Sequence, residues 1–254
     1  MSNISLDHLK IIGTSHIAKE SVKQISDYMD SYPVDFVCVE LDKKRFVALT
    51  DKNPAKGKSV NFGMLRKVGL TGFIFALIAT LSQKKLSEQV KTKAGSDMLS
   101  AINAAKNRSL PVALIDQDIQ KTLKNISKKV RFKEKWRIIS DLFKGLVGIK
   151  SPLTSGLENI DLKKVPSEEL IEKVLKETKY RYPGLYSALV HDRNVSMSEK
   201  IIKFMEKFPE NFFLVVVGAG HKDGLIEILE KKTSQKYKDV SRNSISYSYN
   251  STQD

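Results

Sequence analysis

Two histidines follow the same short pattern near the two ends of this 254-residue chain. His16 closes the segment G-T-S-H at 13–16, and His221 closes G-A-G-H at 218–221. Each segment follows an apolar run typical of a strand and precedes a helical pattern. Residues just past the carboxyl ends of strands line the ligand crevice of an open α/β sheet. The repeat predicts one site built from both ends of the chain; the alternative is that each histidine only hydrogen-bonds within its own turn.

A carboxylate is expected beside the two histidines. Glu40 ends the second strand-like run, and Arg45 follows one turn later. Two imidazoles and one carboxylate with open coordination positions form a recurring site for Zn, Mn or Fe. We therefore predict His16, Glu40 and His221 as metal ligands. The alternative for Glu40 is a strand-end charge or an ion pair with Arg45.

Three further polar residues could assist such a site. Asp116 and Asp118 end the third strand-like run, where they could accept a hydrogen bond from a ligand histidine. Capping of the next helix is an equal alternative for Asp118. Arg193 lies in a helical segment and could hold a carboxylate or an oxyanion, with a structural salt bridge as its alternative.

The elements around these residues alternate between strand and helix. Strand-like runs lie at 9–12, 35–40, 111–116 and 211–217. Helical periodicity marks 18–31, 96–107 and 224–232. This alternation predicts an α/β fold with a mixed, largely parallel central sheet.

One domain, 1–254, is predicted, with a mainly helical insertion over about 119–210 that opens the sheet before its last strand. The alternating run at 244–249 suggests one more strand. The lone cysteine, Cys38, lies in an apolar run and is expected to be a core residue.

The net charge of +14 is concentrated in two windows. Residues 43–67 hold eight Lys/Arg and one acid, and residues 119–150 hold ten and two. Such clustering favours an anionic partner: nucleic acid, acidic lipid or an acidic protein. We predict no specific nucleic acid partner. The alternative is a solvated lysine-rich surface.

Two segments could meet a membrane. The uncharged stretch 68–82 falls short of the roughly 20 residues needed to cross a bilayer, so a buried helix is expected, with an in-plane helix as the alternative. Within 131–149, apolar residues at 4-3-4-3 spacing alternate with Lys and Arg, which suits an anionic membrane surface or packing on the core. These apolar residues are Phe132, Trp136, Ile139, Phe143 and Leu146. Without a signal-peptide pattern at the N-terminus, we predict a cytoplasmic protein with possible association to a membrane surface.

Taken together, these motifs resemble the TraB/PrgY pheromone-shutdown family, which is related to the Tiki metalloproteases and the GumN-like proteins. The resemblance covers most of the chain. It rests on G-T-S-H at 13–16, V-E-L-D-x-x-R at 39–45, A-G-S-D-M at 94–98, L-I-D-Q-D-I at 114–119, Y-P-G-L at 182–185, H-D-R-N at 191–194 and G-A-G-H at 218–221.

The resemblance implies the fold shared by erythromycin esterase and the ChaN-like haem-binding proteins. It also implies metal-dependent peptide cleavage, with Mn or Co as the metal. The positions that match family motifs are His16, Glu40, Arg45, Arg193 and His221.

The chain departs from the family pattern in three places. Gln117 stands where an arginine is usual, and Asp192 stands where a glutamate is expected. The hydrophobic C-terminal membrane segments of many members are missing, which argues against integral membrane anchoring.

Two functions remain open at this point. The first is a peptide hydrolase that uses Mn, Co or Zn to activate water, with Glu40 as ligand or general base and Arg193 or Arg45 as the oxyanion partner. A metal-free esterase with His16 as base and Glu40 orienting it is a variant. The second is a non-catalytic peptide-binding protein or membrane-surface regulatory protein.

Overall fold

A four-stranded parallel sheet forms the centre of the protein. The computed structural model describes residues 6–14, 19–51, 66–69, 95–146 and 168–250. The strands, in chain order, are β1 (Leu9–Thr14), β2 (Phe36–Val39), β3 (Val112–Leu114) and β4 (Phe213–Gly218). They lie in the order β1-β4-β2-β3, and all neighbours are parallel. The predicted α/β class with a parallel sheet is confirmed.

Strand β4 lies between β1 and β2 and is buried along its whole length. Its sequence, F-L-V-V-V-G, is the continuous apolar run expected when both faces of a parallel strand are covered. Its last residue, Gly218, is in register with Thr14 of β1. All four strands therefore point their carboxyl ends toward the same edge of the sheet.

Helices cover both faces of the sheet. On one face, α1 (Lys19–Ser31) and α3 (Ser96–Asn107) bury Ile25 and Ile102 against Val216. The short helix α2 (Lys43–Thr50) lies between them in sequence. On the other face, α8 (Asp192–Lys207) and α9 (Ala219–Asn250) bury Met197 and Leu225 against Val217. Successive β4 residues thus serve opposite cores, as the period of two requires.

Between β3 and β4 the described residues form helices. These are α4 (Ile119–Lys129), α5 (Phe132–Leu146), α6 (Glu168–Arg181), the single turn α7 (Pro183–Tyr186), a π-helical turn (Ser187–His191) and α8. Helices α4 and α5 and the π-turn pack around a separate apolar cluster that includes Leu123, Ile138 and Ala188.

Helix α7 runs through the π-turn into α8 without a break. Proline at its first position supplies a fixed φ and lacks an N–H that the helix start could not pair. The surplus residue of the π-turn sets the rotation of the helix on which Arg193 lies.

The strand predicted at 244–249 is wrong, because these residues continue α9 to Asn250. No glycine or proline follows Gly224 in this helix, so nothing interrupts its backbone hydrogen bonds. Of the apolar stretch 68–82, only the first two residues are described, and Val68 is buried. Within the described part of the chain, every helix is too short or too polar to span a bilayer.

Candidate functional site

A buried charged cluster lies at the carboxyl edge of the sheet. Glu40 directly follows β2, Asp116 comes two residues after β3, and His221 lies in the first turn of α9 after β4. Arg193, the second residue of α8, reaches into the same place. The structure therefore brings Glu40, Asp116, Arg193 and His221 together, although 181 positions separate the first from the last.

Arg193 contacts three of these groups at once. Its Nη2 donates to Glu40 Oε1 and to Asp116 Oδ2, the latter at 2.7 Å. Its Nε donates to Asp116 Oδ1 at 3.0 Å. Its Nη1 lies 2.9 Å from His221 Nε2. A planar guanidinium suits this role because its donors form a fixed fork.

His221 is held by both ring nitrogens. Its Nδ1 lies 2.6 Å from Asn194 Oδ1, an amide oxygen that can only accept. With Arg193 donating to Nε2, the consistent assignment is a neutral ring that carries its proton on Nδ1. The Nε2 lone pair then faces Arg193 Nη1, and Glu40 Oε1 lies 3.4 Å from the same nitrogen.

Glu40 is almost fully buried and yet ionised. Burial alone would raise its pKa, but the neighbouring His221 and Arg193 side chains, the Gly218 amide and Arg45 together lower the pKa below its ordinary value. The Gly218 N–H donates to Glu40 Oε2 at 2.6 Å. On the other side of the pair, burial would lower the pKa of Arg193, whereas the Glu40 and Asp116 carboxylates raise it.

Arg45 and Asp118 lie at the outer side of the cluster. Arg45 is half-exposed, with Nη1 at 3.4 Å from Asp116 Oδ2. Asp118 caps α4 by accepting from Gln120 N–H at 2.7 Å, and it also pairs with Lys44. The contacts of Asp118 are thus those of a helix cap, which was one of its two alternatives.

Four residues at or near the site were not singled out from the sequence. Asn194 orients His221. Thr14 Oγ1 donates to Asp97 Oδ2 at 2.5 Å, which joins the end of β1 to the start of α3. Lys200 Nζ donates to the Asp116 carbonyl, and its burial lowers its pKa. Asn194 and Asp97 lie inside two of the motifs that carry the family resemblance, H-D-R-N at 191–194 and A-G-S-D-M at 94–98. Their place in these motifs was the sequence signal that could have identified them.

Two of the three departures from the family pattern, Gln117 and Asp192, lie among the described residues. Gln117 is buried and donates through Nε2 to Thr122 Oγ1 at 2.8 Å. Asp192 pairs with Lys129 Nζ at 2.6 Å and accepts from Asn125 at 2.9 Å. Asp192 therefore ties α8 to α4.

The predicted ligand His16 lies outside the described residues, two positions beyond Thr14. In the parts of the chain that the structure describes, no three His, Cys, Asp or Glu side chains are grouped around one point as metal ligands. Of the three predicted ligands, Glu40 and His221 lie among the described residues.

The fold and the cluster define a class: a parallel α/β protein whose strand ends hold a buried His–Glu–Arg–Asp site. Comparison with known protein families identifies the family. The chain matches the TraB/PrgY/gumN family over residues 2–238, and it belongs to that family.

A relative supports the assignment. The chain is 32% identical over 226 residues to an uncharacterized protein of Methanocaldococcus jannaschii. The match takes in 87% of this chain and 53% of the relative, so the chain spans about half the length of the archaeal protein.

Proposed function

We propose that this protein is a metal-dependent hydrolase of peptides, with His16, Glu40 and His221 as the ligands of Mn, Co or Zn. One observation carries the proposal. Glu40 Oε1 and His221 Nε2 lie 3.4 Å apart at the ends of adjacent strands, with the other ring nitrogen held by Asn194. Ligand histidines in metal sites are commonly oriented through their second nitrogen in this way.

The two donors suit a cation. Both the carboxylate oxygen and the imidazole lone pair are already turned toward the positive guanidinium of Arg193. An ion bound to these atoms would have to take the place of Nη1 and Nη2. Asp116, which Arg193 also contacts through Nε at 3.0 Å, would remain as a partner for the guanidinium. When bound, a divalent ion supplies Lewis acidity and an activated water.

The protein's own residues would then divide the work. Glu40 is ionised at neutral pH because its pKa is lowered, so it can serve as a ligand or accept a proton. The guanidinium, moved off Glu40 and His221, is a donor for an oxyanion or a substrate carboxylate. Arg45 is the more exposed cation and can contact the substrate from outside.

The proposal is tested by metal binding and by peptide cleavage. We expect Mn²⁺ or Co²⁺ to raise the melting temperature of the wild type, because a ligand that binds only the folded state stabilises it. The double variant His16→Ala/His221→Ala should lose this rise. His8→Ala is the matched control, since His8 lies at the opposite end of β1, where Nδ1 meets the Pro209 carbonyl at 3.1 Å.

Cleavage is measured with a library of short peptides and the metal-loaded protein. Glu40→Gln should abolish turnover while the protein remains folded. An equal thermal rise in the double histidine variant, or equal turnover in Glu40→Gln, would contradict the proposed site.

A second candidate is the non-catalytic binding of a peptide. It is favoured by the complete pairing of Arg193 with Glu40, Asp116 and His221, which leaves the cluster satisfied without an ion. In that case Mn²⁺ and Co²⁺ leave the melting temperature unchanged, and peptides bind without turnover. Isothermal titration with the same peptide library separates the two candidates.

A further inference from the structure

Helix α5 is fixed to the protein by one face that carries both of its acidic residues. Glu134, Ile138 and Asp141 are buried at 4-3 spacing. Glu134 accepts from the backbone N–H groups of Gly184 and Leu185, at 3.2 and 2.9 Å. Asp141 accepts from Arg181 Nη2 at 2.6 Å and from Tyr182 Oη. The acids of this helix are therefore turned inward and paired.

The opposite face of α5 is apolar and open. Phe132, Trp136 and Ile139 are 73%, 59% and 53% exposed. At about 100° per residue these three lie on the side of the helix directly away from Glu134, Ile138 and Asp141. This reverses the usual arrangement, in which the apolar stripe of a surface helix faces the core. Of the two alternatives for this stripe, packing on the core does not hold for these three residues.

Basic residues flank the stripe on both sides. Lys133, Arg137 and Lys144 lie along one side of α5 by the same helical geometry, and Lys135 lies along the other, with Arg131 just before the helix. Because both acids are inward, the outward half of the helix carries no negative charge. An apolar stripe with Trp and Phe, bordered by Lys and Arg, is the arrangement of a helix lying in a bilayer interface.

We propose that the outward face of α5 docks on an anionic lipid bilayer, with Phe132, Trp136 and Ile139 entering the headgroup boundary. The basic residues on both sides of the stripe complement acidic headgroups. Transfer of the apolar side chains from water into the bilayer interface is favourable. Nucleic acid is the poorer fit. Phe132 and Trp136 meet edge to face, with ring centroids 6.2 Å apart, and Ile139 offers no ring on which a base could stack.

The test is vesicle binding by the full chain. Vesicles of phosphatidylcholine with 30% phosphatidylserine, and of phosphatidylcholine alone, are sedimented with the protein at ~50 mM and ~500 mM salt, conditions that bracket the range of screening. We expect binding to the acidic vesicles at low salt, a blue shift of Trp136 emission, and release at high salt. Trp136 is the one tryptophan in the sequence, so the emission reports on this face alone.

Two variants separate the apolar and charged contributions. Phe132→Ser should weaken partitioning roughly tenfold while keeping Trp136 as the reporter. Tyr32→Ser is its control, because Tyr32 is 57% exposed just after α1. Lys133→Gln/Lys144→Gln should weaken partitioning roughly 10- to 30-fold. Lys203→Gln/Lys231→Gln, two exposed lysines on α8 and α9, is the matched control.

Each other outcome overturns the proposal. Trp136 emission that is blue in the free protein and unchanged by vesicles means that another part of the chain covers the stripe. Acidic-vesicle binding that survives Phe132→Ser and the α5 lysine variant unchanged means that charge elsewhere carries it. Binding of duplex DNA or RNA through the same residues, without vesicle binding, assigns the face to nucleic acid.

Discussion

Arg193 joins residues from three separate elements of the sheet edge, and its removal leaves buried charges without their partner. Arg193→Met should lower the free energy of unfolding by about 3 kcal/mol, as for other broken buried ion pairs. The reason is that Glu40 and Asp116, both nearly fully buried, lose the guanidinium between them. Urea unfolding at pH 7 measures the loss.

The same variant shows whether an ion and Arg193 share one position. Mn²⁺ or Co²⁺ should raise the melting temperature of Arg193→Met more than that of the wild type, because no guanidinium has to be displaced and the ion restores the missing charge. Mg²⁺, which parts with its water reluctantly and prefers oxygen ligands, is the control cation. An equal rise in both proteins would mean that the ion binds elsewhere.

Glu40 should make stability depend on pH in a defined way. Its pKa is lower in the folded protein than in the unfolded chain, so its contribution is complete above about pH 4.3 and is lost as pH falls through the lower folded value. Glu40→Gln should cost about 2 kcal/mol at pH 7. The difference from wild type should shrink below about pH 4.3.

Urea unfolding between pH 7 and pH 3 follows this difference. The control is Glu199→Gln, because Glu199 is more than half exposed in a surface pair with Lys232. A constant difference between wild type and Glu40→Gln across the whole range would mean that the charge of Glu40 does not stabilise the fold.

At the scale of elements, Gly184 allows α7 to approach the end of α4. A Cβ at this position would lie 2.3 Å from the Lys129 carbonyl oxygen and 2.8 Å from Glu134 Oε2. Gly184→Ala should therefore destabilise the protein by about 2–3 kcal/mol, since backbone has to move.

A second helical glycine is the matched control for this prediction. A Cβ on Gly220 would meet nothing closer than Leu175 Cδ2 at 3.8 Å. Gly220→Ala should be neutral or stabilising by up to about 1 kcal/mol, because alanine favours the helix. Thermal unfolding of both variants checks the pair. Equal effects would show that the contact at Gly184 is not what requires glycine.

At the scale of the whole molecule, Cys38 reports global unfolding. It is fully buried in β2, and burial raises its pKa to about 12. A disulfide reagent at pH 8 should modify the native protein only as fast as the protein opens, and sub-denaturing urea should accelerate the reaction. Fast labelling of the native protein, at the rate seen in 6 M urea, would contradict a buried thiol.

The four strands and α3 could be located from the sequence because their periodicity is strong and local. The end of α9 could not, since Ser alternating with Ile and Tyr at 244–249 has the period of a strand, whereas the structure continues the helix through these residues. Glu40, Arg193 and His221 were accessible as polar residues at element ends. The partner that orients His221 was not, because Asn194 approaches His221 only through the packing of α8 on α9.

The π-turn at Ser187–His191 fixes how Arg193 is oriented relative to α7, so the number of residues in this segment matters. Deleting one residue there would permit a regular α-helix, but it would rotate Arg193 by about 100° relative to α7. Tyr182, just before α7, donates to Asp141 of α5, while Arg193 donates to Glu40. Continuous helical residues thus link the Asp141 contact of α5 with the Arg193 contact of the charged cluster, so we expect a change in the tilt of α5 to shift Arg193.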